Sequence, residues 1–145
     1  MKTVNDVHQF LKGKTFWLST VDGEGNPHVR PFGAVALHEG RLYICTNAKK
    51  NVSAQMKNHR QVEFAALDEG MNWFRFNGIA VIANDSDVKT QMLAQNPMLK
   101  DIYEGNPDFE VWQLFGDANW VDIMGNVRET ARVSSPDIEK YLKGE

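Results

Sequence analysis

His28–Leu37 reads HVRPFGAVAL, a run with strand-like alternation that carries an arginine, a proline and a glycine in its middle. Proline cannot donate to a ladder and glycine has no side chain to pack, so a strand holding both is weakened. Alternation puts Val29, Pro31, Gly33, Val35 and Leu37 on one face, which reads as the core face. His28, Arg30, Phe32, Ala34 and Ala36 fall on the other. Gly33 lets another body approach the backbone closely, and Arg30 offers a rigid fork of donors suited to phosphate or carboxylate. Taken alone, the stretch is an irregular edge strand with a solvated arginine. What surrounds it decides the fold.

Before it stand KTFWLSTV, a β-rich run, and DGEGNP, a dense set of turn residues. After it, HEG turns the chain into RLYICTN, so the three runs are expected to form a meander of hairpins. AKKNVSAQMKNHR then spaces Val52 and Met56, with Ala48, as a short amphipathic helix. QVEFAALDEG and MNWFRFNGIAVIAND return to strand. DSDVKTQMLAQNP reads as a helix capped by Asp85, with Val88, Met92 and Leu93 inward and Pro97 beyond its end. FEVWQLF and NWVDIMG are expected to make a last hairpin around GDA. Helices are expected at both ends, TVNDVHQFLKG with Val4, Val7, Phe10 and Leu11 on one face, and SSPDIEKYLKG with Pro136 in its first turn. Six or seven short strands joined by tight turns mean a mostly antiparallel sheet, most economically closed as a small barrel.

The 145 residues suit one domain spanning 1–145. Hydrophobic residues at 42% and charged residues at 24% are those of a globular protein. A formal net charge of -3 argues against a general nucleic-acid binder, so any positive site is local. No run approaches membrane-spanning length and the first residues lack a signal-peptide core, so the expectation is a cytoplasmic protein with no membrane partner. The single cysteine, Cys45, excludes an intrachain disulfide and reads as a small buried hydrophobe. Histidines 8, 28, 38 and 59 show no zinc-ligand spacing, and no metal is expected. The acidic DIYEGNPDFE, with Asp101, Glu104, Asp108 and Glu110, reads as a solvated loop.

One cluster stands out on this acidic chain. TNAKKNVSAQ places hydroxyl and amide side chains, then two lysines, at a strand-to-helix junction. Helix N-termini present unpaired N–H groups and partial positive charge, so a phosphate there would be stabilised. Thr46, Lys49, Lys50 and Asn51 could join Arg30 if the adjacent strands bring them together.

With TFWLSTVDGEGNPHVRPFGA, RLYICTNAKKNVSAQMKNHRQVEFA, WFRFNGIAVI and a late FEVWQLF in this order and spacing, the chain resembles the pyridoxamine-5′-phosphate-oxidase-like, FMN-binding split-barrel family, in its general-stress-protein-like branch. The resemblance covers about residues 8–125. It implies a six-stranded antiparallel split β-barrel with short helices, and a homodimer with two FMN molecules at its interface. Carried over by residue, Arg30, Lys50 and Thr46 become phosphate contacts, with Lys49 and Asn51 close behind. Pro31, Phe32 and Gly33 would line the flavin ring, and Gln55 would reach the ring or the ribityl chain. Trp112 and Trp120 lie where family members send aromatic residues across the dimer to the partner's flavin. The chain ends NVRETARVSSPDIEKYLKGE, without the family's arginine-leucine-x-proline motif, so no vitamin B6 substrate is implied. The function implied is an FMN-dependent oxidoreductase acting on a small molecule, with NAD(P)H as the donor the reading admits and no identified catalytic side chain. The alternatives are a non-catalytic flavoprotein for electron transfer or stress, and a barrel that holds haem or a deazaflavin instead. Haem calls for an axial ligand, for which His28 is the candidate nearest the site.

Overall fold

The computed structural model describes residues 2–133. The expected C-terminal helix lies outside the described residues. Helix α1 (Val4–Leu11) opens the chain, with the Asp6 carboxylate accepting from the Thr3 N–H at 2.8 Å. Strands β1 (Phe16–Val21) and β2 (Pro27–Phe32) form the first hairpin, β3 (Val35–His38) and β4 (Arg41–Asn47) the second. Helix α2 (Asn51–Asn58), β5 (Gln61–Leu67), β6 (Trp73–Ile82) and α3 (Ser86–Gln95) follow. A 3-10 turn (Pro97–Leu99) leads into the short α4 (Lys100–Tyr103), then β7 (Phe109–Val121) and β8 (Val127–Val133) complete the sheet.

All neighbouring strands pair antiparallel in the order β2-β1-β5-β6-β7-β4-β3, and β8 pairs with β7 off this path. The class found is the class expected: mostly β with short helices, an antiparallel split barrel whose sheet is not closed. The strand count of eight exceeds six for two reasons. HVRPFGAVAL is two strands, because the chain breaks at Gly33–Ala34 and passes from one end of the sheet to the other. The expected three-strand meander is therefore two separate hairpins. At the C-terminal side, GDA lies inside the continuous β7, and the real turn is Asp122–Asn126 between β7 and β8. That turn repeats the bonding of Asp22–Asn26. In each, the aspartate Oδ1 accepts the N–H groups two and four residues on, at 2.9–3.0 Å.

The break also changes which side chains face inward in β2. Cross-strand partners share a face, and Arg30 and Phe32 sit opposite the buried Leu18 and Phe16. Phe32 packs on the core, its ring 5.8 Å from that of Phe16, while Val29 and Pro31 are exposed. The expected faces of β2 are thus inverted, and β3 is buried on both faces, with Val35 in the inner cluster as expected and Ala36 buried in the outer one. Inside the sheet, Phe64 stacks on Phe76 with centroids 4.9 Å apart, and Phe16 packs tilted against Phe64 at 4.7 Å. A second cluster, with Tyr43, Cys45, Val88, Met92, Tyr103 and Val111, lies on the other face of β4 and β7 beneath α3 and α4. Among the described residues no helix is long and apolar enough to cross a membrane.

Gly78 and Gly116 are register partners on β6 and β7, and the strands touch there. A Cβ on Gly78 would come 2.0 Å from the Phe115 carbonyl oxygen, which is backbone and cannot swing away. Gly78→Ala is expected to cost ~2–3 kcal/mol or more, the upper end of overpacking penalties. Gly33→Ala, whose Cβ meets nothing within 4 Å, serves as the control in urea denaturation. Equal effects of the two substitutions would show that the close approach does not constrain the sheet.

Candidate functional site

The edge-to-edge crossing leaves Gly33 and Ala34 outside both ladders, with β2 on one side of them and β3 on the other. Beside the crossing, β4 brings Cys45 and Thr46 just before its end at Asn47, and a tight turn leads into α2. The Asn47 side chain accepts from the Lys49 N–H at 2.9 Å and the Asn47 carbonyl from the Lys50 N–H at 3.0 Å. Lys50 is thereby set at the N-cap of α2, where no side chain caps the helix. The Ser53 N–H donates to the Lys50 carbonyl at 3.1 Å, and the N–H groups of Asn51 and Val52 are left for another acceptor.

These elements enclose a half-open pocket of about 360 Å³. One wall is the Pro31–Ala34 crossing and another is Cys45 and Thr46 of β4, with Lys50 and Val52 at the start of α2. Met98, Leu99 and Tyr103, from the 3-10 turn and α4, close the remaining side. Lys50 is the only cation among the described lining residues, there is no acid among them, and its ammonium has no ion-pair partner among the described residues. The neighbouring Lys49 differs: it is exposed and pairs with Asp108 at 3.4 Å.

Of the eleven residues expected to hold a cofactor, the structure brings Pro31, Phe32, Gly33, Thr46 and Lys50 to this pocket. Arg30 stands one residue away and turns inward. Its guanidinium donates to the Thr20 hydroxyl at 2.7 Å and to Gln55 Oε1 at 3.0 Å, so Arg30 and Gln55 meet each other beneath α2 rather than in the pocket lining. Asn51 is exposed in the first turn of α2. Trp112 and Trp120 lie outside the pocket lining. Trp112 is 2% exposed in the core, and Trp120 packs edge-on against Phe10 and Phe74 beside α1. The burial of Trp112 comes from long-range pairing of β7, which places it on the inner face with Leu114, while Trp120 is half-buried.

Three features went unread in the sequence. Met98 and Leu99 lie just before the acidic run that holds Tyr103; Pro97 at the start of the 3-10 turn and the i, i+4 pair Leu99–Tyr103 are the signals the sequence carries. Arg30's inward turn was legible from Phe16 and Leu18 across the hairpin. Glu110, read as part of a solvated loop, is 4% exposed on β7. Its Oε1 accepts from the Ser53 hydroxyl at 2.6 Å and the Trp112 indole at 3.3 Å, and its Oε2 from the Lys57 ammonium at 2.8 Å. Burial acts to raise its pKa, but the Lys57 and Ser53 hydrogen bonds outweigh that and hold the carboxyl below the ordinary glutamate value.

An open antiparallel barrel, with a pocket at its edge-to-edge crossing, defines a split-barrel protein. The pyridoxamine 5′-phosphate oxidase family model matches residues 5–118, and the chain belongs to that family. Among solved structures it is similar to a NimC/NimA family protein from Clostridium acetobutylicum, at 31% identity over 87% of this chain and 89% of that one, with a TM-score of 0.78. It also resembles General Stress Protein 26 from Bacillus anthracis, at 21% identity over 90% and 95% of the two chains, with a TM-score of 0.70. HutZ, the heme storage protein from Vibrio cholerae, matches at 20% identity over 79% and 89%, with a TM-score of 0.59. The last two likenesses speak to fold alone. Among curated proteins no relative matches the chain.

Cys45 lines the pocket, yet burial pushes its thiol up to about 12. At pH 7–9 it is therefore protonated, and the thiolate, which is the reactive form, is scarce. Titration with a thiol-reactive disulfide at pH 8 is expected to modify Cys45 only in denaturant. Rapid modification of the native protein at pH 8 would contradict the burial.

Proposed function

We propose that this protein is an FMN-dependent oxidoreductase that works as a cytoplasmic homodimer, with each flavin at the subunit interface. On this reading residues 1–145 form one flavin-binding domain. The observation that carries the proposal is a single pocket joining an unpaired lysine at an uncapped helix start to a backbone crossing without ladder partners.

The residues present fit the group. A phosphate placed at the start of α2 would meet Lys50, the first-turn N–H groups and the Thr46 hydroxyl, donors of the kind that hold phosphoryl oxygens. The crossing at Gly33 has open space where a side chain would otherwise stand, which suits a flat ring lying against backbone. A volume of about 360 Å³ falls in the range of ordinary small-molecule sites. When bound, FMN supplies hydride or electron chemistry at its ring. The chain's own part is to hold the phosphate, to support the ring on Pro31–Ala34, and to exclude water with Leu99, Met98 and Tyr103. A small molecule is the substrate and a reduced nicotinamide nucleotide the electron donor. A non-catalytic flavoprotein would share the site and differ only in turnover. Haem is the weaker fit: the described lining residues include no histidine, and the His28 ring is engaged by Asp22 at 2.9 Å.

The two adjacent lysines separate the reading from a general cationic surface. Lys50→Ala is expected to weaken FMN binding by ~1.5–3 kcal/mol, the worth of a charge-assisted hydrogen bond. Lys49→Ala is expected to change it by less than about 0.5 kcal/mol, since exposed ion pairs contribute little. Flavin fluorescence titration measures both. Equal affinities in Lys50→Ala and the unaltered protein would move the phosphate elsewhere.

A further inference from the structure

We propose that Glu110 is a positioning residue for the phosphate end of the pocket, a role that rests on the flavin reading above. Helix α2 has eight residues, a length that is marginal in isolation, and its N-cap residue makes no side-chain capping bond. The turn at Asn47 leads into the helix, and Gln55 in its second turn is held by Arg30 at 3.0 Å, but no side-chain cap holds the first turn. Val52 and Met56 bury one face against the core, but apolar contact is non-directional and sets no axial register.

Glu110 adds the directional hold that reaches the first turn. Ser53 is the third residue after the N-cap and Lys57 lies one turn further on, so the two hydrogen bonds to one carboxylate hold both turns of the helix. Ser53 is fully buried, and its hydroxyl donates to Glu110. On β7, Glu110 stands directly opposite Thr46 of β4, which itself lines the pocket. The pocket wall, the carboxylate and the helix start are thus one connected unit. A buried, fully paired carboxylate adds little net stability over a well-packed apolar residue. Its distinctive contribution is directional: the first-turn N–H groups and Lys50 are held facing the pocket mouth.

The sign of the effect distinguishes this from plain electrostatics. As a charge, Glu110 repels a nearby phosphate, so neutralising it would tighten FMN binding if charge alone mattered. As a positioning group, its replacement loosens α2 and weakens the phosphate contacts. In Glu110→Gln the amide still accepts from Ser53, while its NH₂ faces the Lys57 ammonium, donor against donor.

The test compares FMN with riboflavin, which lacks the phosphate, by fluorescence titration of the full-length protein. The unaltered protein is expected to prefer FMN. Glu110→Gln is expected to cut that preference roughly tenfold, the scale of one charge-assisted hydrogen bond, with riboflavin affinity held within about twofold. Ser53→Ala, a smaller change, is expected to act in the same direction and carries the test if Glu110→Gln does not fold. Equal losses for both ligands, or tighter FMN binding, would overturn the positioning role and leave the flavin reading standing. An unaltered protein that does not prefer FMN would overturn both.

Discussion

The structure depends on one passage of backbone, Gly33–Ala34, where the chain leaves one edge of the sheet and joins the other. β2 ends on β1, β3 begins on β4, and no ladder joins the two ends. An antiparallel sheet can abolish its edges only by closing them with hydrogen bonds. Here the edges are bridged covalently, leaving a gap where side chains of both hydrophobic clusters meet. Phe32 and Val52 come from the inner cluster, Cys45 and Tyr103 from the outer one, and all four line the same pocket. The proline and glycine that weaken HVRPFGAVAL as a strand are the residues that let it be two.

What gives that gap chemical character is α2, placed by polar contacts on two sides. From β2, Arg30 reaches Gln55 through a cluster shared with Thr20. From β7, Glu110 takes Ser53 and Lys57. Both groups spend their charge within the protein, and Lys49 spends its own on Asp108. Lys50 is left as the cation at the mouth. The local positive site on an acidic chain is thus narrower than a count of nearby basic residues suggests.

Much of this could be read in the residues, and the misses have a common cause. The helices Val4–Leu11, Asn51–Asn58 and Ser86–Gln95 follow from apolar spacing and turn chemistry, which are local. The first hairpin turn announces itself through two glycines and an asparagine, whereas Asp122–Asn126 makes the same bonds with Ile123 and Met124 at its tip and passes for strand. Which face of β2 turns inward is settled by Phe16 and Leu18 on its partner, not by its own alternation. Burial of Glu110 depends on a helix residue 57 positions away, so its acidic surroundings pointed to solvent. Lys49 and Lys50 are indistinguishable by type; only the turn at Asn47 and the position of Asp108 separate them.

The most direct measurement is a crystal structure of the protein with FMN bound. Phosphate oxygens are expected within hydrogen-bond reach of the Lys50 ammonium and the first N–H groups of α2, with the isoalloxazine lying along Gly33–Ala34 at a two-fold interface. A phosphate bound away from the start of α2, or a ring that leaves the crossing empty, would contradict that placement.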